Sequence, residues 1–143
     1  MERTDWLLLF IGLPGGRYAT DQLRIMKGMF LLDQEGPQEL RGLYRFQAYD
    51  YGPFDSSIYS DLDALSKAAL ISITGGGGSS RREYDVTAMG RERVVRLERE
   101  VTPTALEEVQ RVRSTVTSLG FTDLLKKVYG DYPHFATRSK TNV

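Results

Sequence analysis

Cysteine is absent from the 143-residue sequence, and this absence excludes several kinds of site at once. Without thiols there can be no disulfides, thiolate zinc sites, iron–sulfur clusters or cysteine nucleophiles. The only histidine is His134, so neither a Ser-His-Asp triad nor a multi-histidine metal site is expected. We therefore predict no catalytic residues, no metal site and no cofactor, and we expect that the protein is not an enzyme.

Long hydrophobic runs are also absent. The longest one extends from Trp6 to Leu13 and is far shorter than the roughly 20 residues that a membrane-spanning helix needs. Glu2 and Asp5 stand where a signal peptide would carry basic residues. We therefore expect a cytoplasmic protein that does not enter a membrane.

A net charge is absent as well, because 19 Lys and Arg balance 19 Asp and Glu. The two signs are unevenly distributed, with an acidic excess before residue 81 and a basic excess after it. A balanced total gives little general attraction to a polyanion. Binding of a nucleic acid would therefore depend on a local basic patch.

The glycines do not form a known nucleotide-binding motif. The Gly75–Gly78 run lacks a following Gly-Lys-Ser/Thr and leads into a predicted strand, whereas a phosphate-binding loop leads into a helix. Gly12, Gly15 and Gly16 do not match the dinucleotide-binding spacing.

Three aspartates, Asp55, Asp61 and Asp63, lie close together in the sequence. Positions 61 and 63 of a helix point about 200° apart, so these two side chains cannot form one acidic site unaided. We interpret the three as solvated carboxylates on a helix face. Asp55, or the following Ser56, can also cap the start of that helix.

The spacing of apolar residues and of turn residues predicts most of the regular structure. Helices are predicted at 3–12, from Thr20 to about 35, and at 55–69, 88–100, 103–119 and 121–129. Strands are predicted at 44–49, 70–74 and 83–87, with a turn at 51–54 and an extended tail at 130–143. The helix after Thr20 has little polar surface, so we predict that it is the buried central helix.

The last two predicted strands have the alternation of a half-buried hairpin. Ile71 and Ile73 alternate with polar residues, as do Tyr84 and Val86, so the apolar side chains can share one face. The Gly and Ser residues at 75–80 between the strands have almost no side chains to pack. They predict a bare hairpin tip.

The order helix, helix, strand, helix, hairpin, helix is typical of a winged-helix domain. We predict an α+β winged-helix fold, with a helix-turn-helix core, a glycine-rich β-hairpin as the wing, and additional C-terminal helices. It would form one domain over residues 1–143. The core would span about 3–100, the C-terminal helical extension about 102–130 and the tail 131–143.

A family resemblance agrees with this prediction. The segment from Tyr49 to Tyr59, with its Tyr-Gly-Pro element, continues to Ala69-Leu70-Ile71 and resembles a pattern of YwgA-like bacterial and archaeal proteins. It is more remotely similar to the phage-associated, SocA-like antitoxin domain. The tail at 129–139 also resembles the end of YwgA-like chains, whereas the Gly75–Gly78 run departs from the pattern. The resemblance implies a winged-helix-like core with an antitoxin, regulatory or adaptor role.

Binding of double-stranded DNA by a transcriptional regulator is the function that we predict. The helix at 55–69 would enter the major groove and the wing would reach the DNA backbone or minor groove. The candidate DNA-binding residues are Ser56, Ser57, Tyr59, Ser60 and Lys67 on the helix, and Arg81, Arg82, Arg91 and Arg93 on or after the wing. The three aspartates work against this prediction, because phosphates repel carboxylates.

A protein-interaction module, such as an antitoxin or an adaptor that does not bind DNA, is the alternative. Apolar residues of the helix at 103–119 are spaced by four and three, which is typical of a seam between two helices. The same stripe could instead pack on the chain's own core. A homodimer is expected with either function.

Overall fold

The first two helices form the centre of the molecule in the computed structural model, which describes residues 1–13, 19–76 and 82–141. Helix α1 spans Arg3–Gly12 and helix α2 spans Gln22–Glu35. Residues 6–11 of α1 and 25–32 of α2 are all buried. The prediction of a central α2 is confirmed, and α1 is equally central because residues 6–11 are all apolar.

The described residues form an α+β structure with six α-helices and two small antiparallel sheets, so the predicted fold class is confirmed at this level. The other helices are Ser57–Lys67 (α3), Ala88–Glu100 (α4), Pro103–Ser118 (α5) and Phe121–Asp131 (α6), with short 3₁₀ helices at Gln38–Leu40 and Pro133–Ala136. The strands are Thr20–Asp21 (β1), Gln47–Tyr49 (β2), Gly52–Phe54 (β3), Ile71–Thr74 (β4) and Glu83–Val86 (β5). No helix among these residues is long and apolar enough to cross a membrane.

The larger sheet has the strand order β1-β5-β4. Pairing of Ile71 with Val86 and of Thr74 with Glu83 confirms the predicted β4–β5 hairpin. Strand β1 was not predicted: the sequence pattern placed Thr20 at the start of α2. Instead Thr20 pairs with Tyr84, and Asp21 caps α2 by accepting a hydrogen bond from the Arg24 backbone N–H at 2.9 Å.

The smaller sheet is the β2–β3 hairpin, in which Gln47 pairs with Phe54 and Tyr49 with Gly52. The predicted strand at 44–49 is correct only for its last three residues, and the predicted turn at 51–54 is wrong because most of it forms β3. Pro53 can be accommodated because this two-stranded sheet leaves one edge of β3 unpaired. Gly52 has a φ of +97°, a conformation that favours glycine.

The C-terminal helices pack on the same core as α1 and α2. The apolar stripe of α5 is fully buried, from Ala105 to Val116, and α5 contacts α2. The extended tail predicted at 130–143 is wrong for its first part, because α6 continues to Asp131 and a 3₁₀ helix follows. Phe135 of this 3₁₀ helix holds the tail against the core, with its ring 4.7 Å from that of Phe30.

The junction between α3, β4 and α4 requires a glycine. The Thr87 backbone N–H donates to the Leu70 carbonyl at 3.1 Å, and the Thr87 hydroxyl donates to the Ala69 carbonyl at 2.6 Å. This brings α4 so close that a Cβ on Gly90 would lie 1.9 Å from the Leu70 carbonyl oxygen. Gly90 therefore allows the hairpin and α4 to meet.

We expect the substitution Gly90→Ala to lower the free energy of unfolding by about 2–3 kcal/mol, because the backbone must move to admit the methyl group. Urea unfolding measures the change. Gly130→Ala is the matched control: Gly130 also lies in a helix, but a Cβ there would contact nothing within 4 Å. The control should raise stability by up to about 1 kcal/mol. Similar effects of the two substitutions would contradict the close contact at Gly90.

Candidate nucleic-acid interface

Helix α3 begins next to a carboxylate that is fully engaged. Asp55 Oδ1 accepts hydrogen bonds from the Ser57 backbone N–H at 2.9 Å and from the Ser57 hydroxyl at 2.7 Å. Its Oδ2 accepts one from the Arg45 backbone N–H at 2.7 Å. Partial burial alone would raise the pKa of Asp55, but these hydrogen bonds lower it below its usual value. Asp55 thus caps α3 and fixes residue 45 beside the start of the helix.

Asp61 lies on the buried side of α3, so the prediction that it is a solvated carboxylate is wrong. Its carboxylate accepts hydrogen bonds from Arg3 Nε at 2.8 Å and from the Tyr44 hydroxyl at 2.6 Å. Only 9% of the residue is exposed. The sequence does carry a signal for this position, because Asp61 follows Ile58 by three residues and precedes Leu65 by four, on the apolar face.

The Asp61 network joins three parts of the chain. Arg3 comes from α1, Tyr44 precedes β2, and the Arg3 guanidinium lies 4.8 Å from the centre of the Tyr44 ring. Burial raises the pKa of Tyr44, and the hydrogen bond to Asp61 raises it further, so the hydroxyl remains a donor. Of the three aspartates near α3, only Asp63 is exposed.

A basic groove of about 610 Å³ opens at the N-terminal end of α3. Three arginines contribute to its walls, and the lining residues are Arg3, Gly42, Leu43, Tyr44, Arg45, Gln47, Tyr49, Phe54, Asp55, Ser56, Ser57 and Arg138. Within the described ranges, the Arg45 and Arg138 side chains form no ion pair with a carboxylate. The Arg138 guanidinium lies 5.5 Å from the centre of the Tyr49 ring. These two cations can therefore accept an anionic partner.

The β4–β5 hairpin lies next to α3. Tyr84 of β5 is buried near Tyr59 and Asp63 of α3; burial raises its pKa, the Asp63 carboxylate raises it further, and nearby Arg82 lowers it. Arg82 precedes β5, at the tip end of the hairpin, and its side chain packs over Gly76. Through Tyr84, the hairpin therefore lies next to the part of α3 that contains Tyr59 and Asp63.

Part of the predicted DNA-binding set lies at the N-terminal end of α3. Ser56 and Ser57 line the basic groove, and Ser60 is exposed on the same helix. Tyr59 is half-buried, with its ring 5.7 Å from that of Phe54. These four residues belong to the start of α3, whereas Arg82 lies near Gly76 and Tyr84 of the hairpin.

The remaining predicted residues lie elsewhere. Lys67 is exposed at the C-terminal end of α3. Arg91 and Arg93 belong to α4, beyond the base of the hairpin, so strand β5 separates them from Arg82. Arg93 forms an ion pair with Asp5 at 3.1 Å. Arg81 lies outside the residues that the structure describes.

None of the three arginines of the basic groove, Arg3, Arg45 and Arg138, was in the predicted DNA-binding set. Arg45 stands between Tyr44 and Phe46, an interleaving of basic and aromatic residues that could have drawn attention to it. From the sequence, Arg138 and Lys140 of the tail could add a phosphate contact, but a frayed terminus was the favoured interpretation. The folding of the tail brings Arg138 onto Tyr49.

A smaller pocket of about 230 Å³ shares Tyr49 and Phe54 with the basic groove. We name it the Lys27 pocket, because Lys27 of α2 lies in its wall and is only 3% exposed. Burial lowers the pKa of Lys27 to about 8, although the negative charge of Asp21 opposes this shift. The sequence pattern gave no indication of a site at Lys27, because this residue lies within the apolar run of α2.

No protein-family model matches the sequence, and no curated protein matches it. The resemblance to YwgA-like and SocA-like proteins therefore stays a prediction. The geometry and the charge of the groove are the observations that bear on its function.

We expect Asp61→Asn to lower the free energy of unfolding by about 2 kcal/mol, because Arg3 loses its counter-charge and Tyr44 a charged acceptor. Asp63→Asn makes the same chemical change on the exposed side of α3 and should stay within about 0.5 kcal/mol of the wild type. Thermal or urea unfolding of both variants provides the measurement. Equal stability of the two would show that the Asp61 network does not hold α3.

We expect Lys27→Met to stabilise the fold near neutral pH by on the order of 2–3 kcal/mol, since one pKa unit corresponds to about 1.4 kcal/mol. The buried ammonium is destabilising below its folded pKa of about 8. Between that value and the unfolded value of 10.5, the unfolded chain binds more protons, so wild-type stability should rise with pH.

Unfolding curves between pH 6 and 10 test this expectation, with the exposed Lys67→Met as the control. The difference in stability between Lys27→Met and the wild type should shrink as the pH rises. A difference that stays constant with pH would contradict a buried ammonium.

Proposed function

We propose that this chain is a winged-helix, DNA-binding transcriptional regulator that uses α3, the basic groove and the β4–β5 hairpin to contact double-stranded DNA. The order of the elements supports the proposal. Helices α1, α2 and α3 precede the β4–β5 hairpin, and β1, between the first two helices, adds to the free edge of β5. In this proposal α3 is the recognition helix and the hairpin is the wing.

The observation that carries the proposal is the pair of arginines beside the start of α3. Arg45 and Arg138 line the basic groove without a carboxylate partner in the described part of the chain. Recognition helices contact base edges with their N-terminal residues. Arginine also matches the geometry of a phosphate group with two parallel hydrogen bonds. Cations at this end of α3 therefore stand where DNA phosphates would flank the helix.

The orientation of Asp61 supports the same function. Its carboxylate is directed at Arg3 and Tyr44, so it does not add negative charge to the exposed side of α3. Ser56 and Ser60 are exposed instead, and serine hydroxyls can hydrogen-bond to bases or phosphates. The repulsion expected from the sequence is therefore reduced for Asp61, while Asp55 lines the groove and Asp63 is exposed.

The alternative, a protein-interaction module, loses one of the two observations that suggested it. The stripe of α5 from Ala105 to Val116 is buried in the chain's own core and does not offer a seam to another helix. We therefore propose DNA binding rather than an antitoxin or adaptor role, and binding rather than catalysis. A homodimer and a cytoplasmic location remain predictions.

We expect the double variant Arg45→Ala/Arg138→Ala to bind duplex DNA more weakly and with a smaller dependence on salt. Each phosphate contact contributes about one unit to the slope of log K against log salt, so the slope should fall by about 2. Fluorescence anisotropy with a labelled duplex, between about 50 and 200 mM salt, measures both quantities.

The control is Arg96→Ala/Arg99→Ala, which removes the same charge from exposed positions of α4. It should leave the slope nearly unchanged. If both double variants lost the same DNA affinity, overall charge would explain the effect. That result would contradict specific binding in the groove. Absence of DNA binding by the wild type at low salt would rule out the proposed function.

A further inference from the structure

The Lys27 pocket contains a buried cation that forms no hydrogen bond or ion pair with the described residues. Lys27 is only 3% exposed, and among the described residues no acceptor lies within hydrogen-bonding distance of its Nζ. Its Cε approaches Gly52 of the β2–β3 hairpin, where a Cβ would lie 3.3 Å away. A buried ammonium without a partner is unfavourable. An anion bound in the pocket would supply that partner.

The two carboxylates near Lys27 are engaged by other cations. Asp50 lies at the pocket and pairs with Lys140, whose Nζ is 3.2 Å from Asp50 Oδ2. Asp21 accepts hydrogen bonds from both the backbone and the guanidinium of Arg24. Neither of them makes a direct ion pair with Lys27.

The rest of the pocket wall is largely aromatic. Tyr49, Tyr51, Phe54 and Tyr59 all contribute to it. The rings of Tyr49 and Phe54 stack with centroids 4.7 Å apart and planes 22° from parallel. Aromatic walls favour a flat apolar body, and the three tyrosine hydroxyls can donate hydrogen bonds to an anionic group.

We propose that the Lys27 pocket binds a small planar ligand carrying one carboxylate, which pairs with Lys27 Nζ while its ring packs against the aromatic side chains. A volume of about 230 Å³ suits a ligand of one or two fused rings. It is below the roughly 300–1,000 Å³ typical of sites for drug-sized molecules. The ligand site does not depend on whether the chain binds DNA.

The test uses 2-naphthoate as the probe and the methionine methyl groups as reporters. Met26 lines the pocket, whereas Met29 and Met89 do not, so ¹³C-methyl NMR contains its own reference signals. Titration of 2-naphthoate should shift the Met26 signal in a saturable manner and leave the other two nearly unchanged. Neutral 2-naphthamide has the same shape, and its affinity should be lower by a factor of about ten or more.

The variant Lys27→Met separates binding from folding, because we expect it to fold with greater stability than the wild type. Its affinity for 2-naphthoate should fall by about tenfold or more, as expected for the loss of a charge-assisted hydrogen bond. The exposed Lys67→Met should bind like the wild type. No saturable shift of Met26, equal affinity for naphthamide, or unchanged affinity of Lys27→Met would each overturn the proposal.

Discussion

The buried carboxylate of Asp61 is the interaction on which the arrangement at the start of α3 depends. It receives hydrogen bonds from Arg3 of α1 and from Tyr44, so three segments distant in sequence converge on one side chain. Such a pair is strongly destabilised when one partner is removed, because a charge then remains without compensation. Here 39% of the Arg3 side chain is exposed, which lessens that penalty and lets Arg3 also line the basic groove.

The β2–β3 hairpin forms a wall of both the basic groove and the Lys27 pocket. Tyr49 and Phe54 line the two cavities, with Arg138 against Tyr49 and Lys27 against Gly52. The shapes of the two cavities are therefore not independent. A rotation of either ring changes the surface of both cavities, because each ring lines both of them.

The sequence was sufficient where a segment's own pattern determined its structure. Helical spacing located all six helices, and alternation located the β4–β5 hairpin. The sequence pattern failed where a contact between distant residues determines the structure. Strand β1 has only two residues, and it forms because Thr20 pairs with Tyr84. The same distinction holds for the site. The sequence pattern identified the start of α3, but Arg138 lines the groove only because the tail folds back onto Tyr49. Asp61 was misjudged because its charge was given more weight than its position on the apolar face.

Two buried cations of this chain show how a structural role differs from a binding role. Arg113 is fully buried in the core, where it donates to the Ile11 carbonyl at 3.3 Å and lies 5.6 Å from the centre of the Phe10 ring. These contacts come from the surrounding core. Lys27 is nearly as buried, but it lines a pocket. A buried cation that lines a cavity is therefore a better candidate for ligand binding than one enclosed by the core.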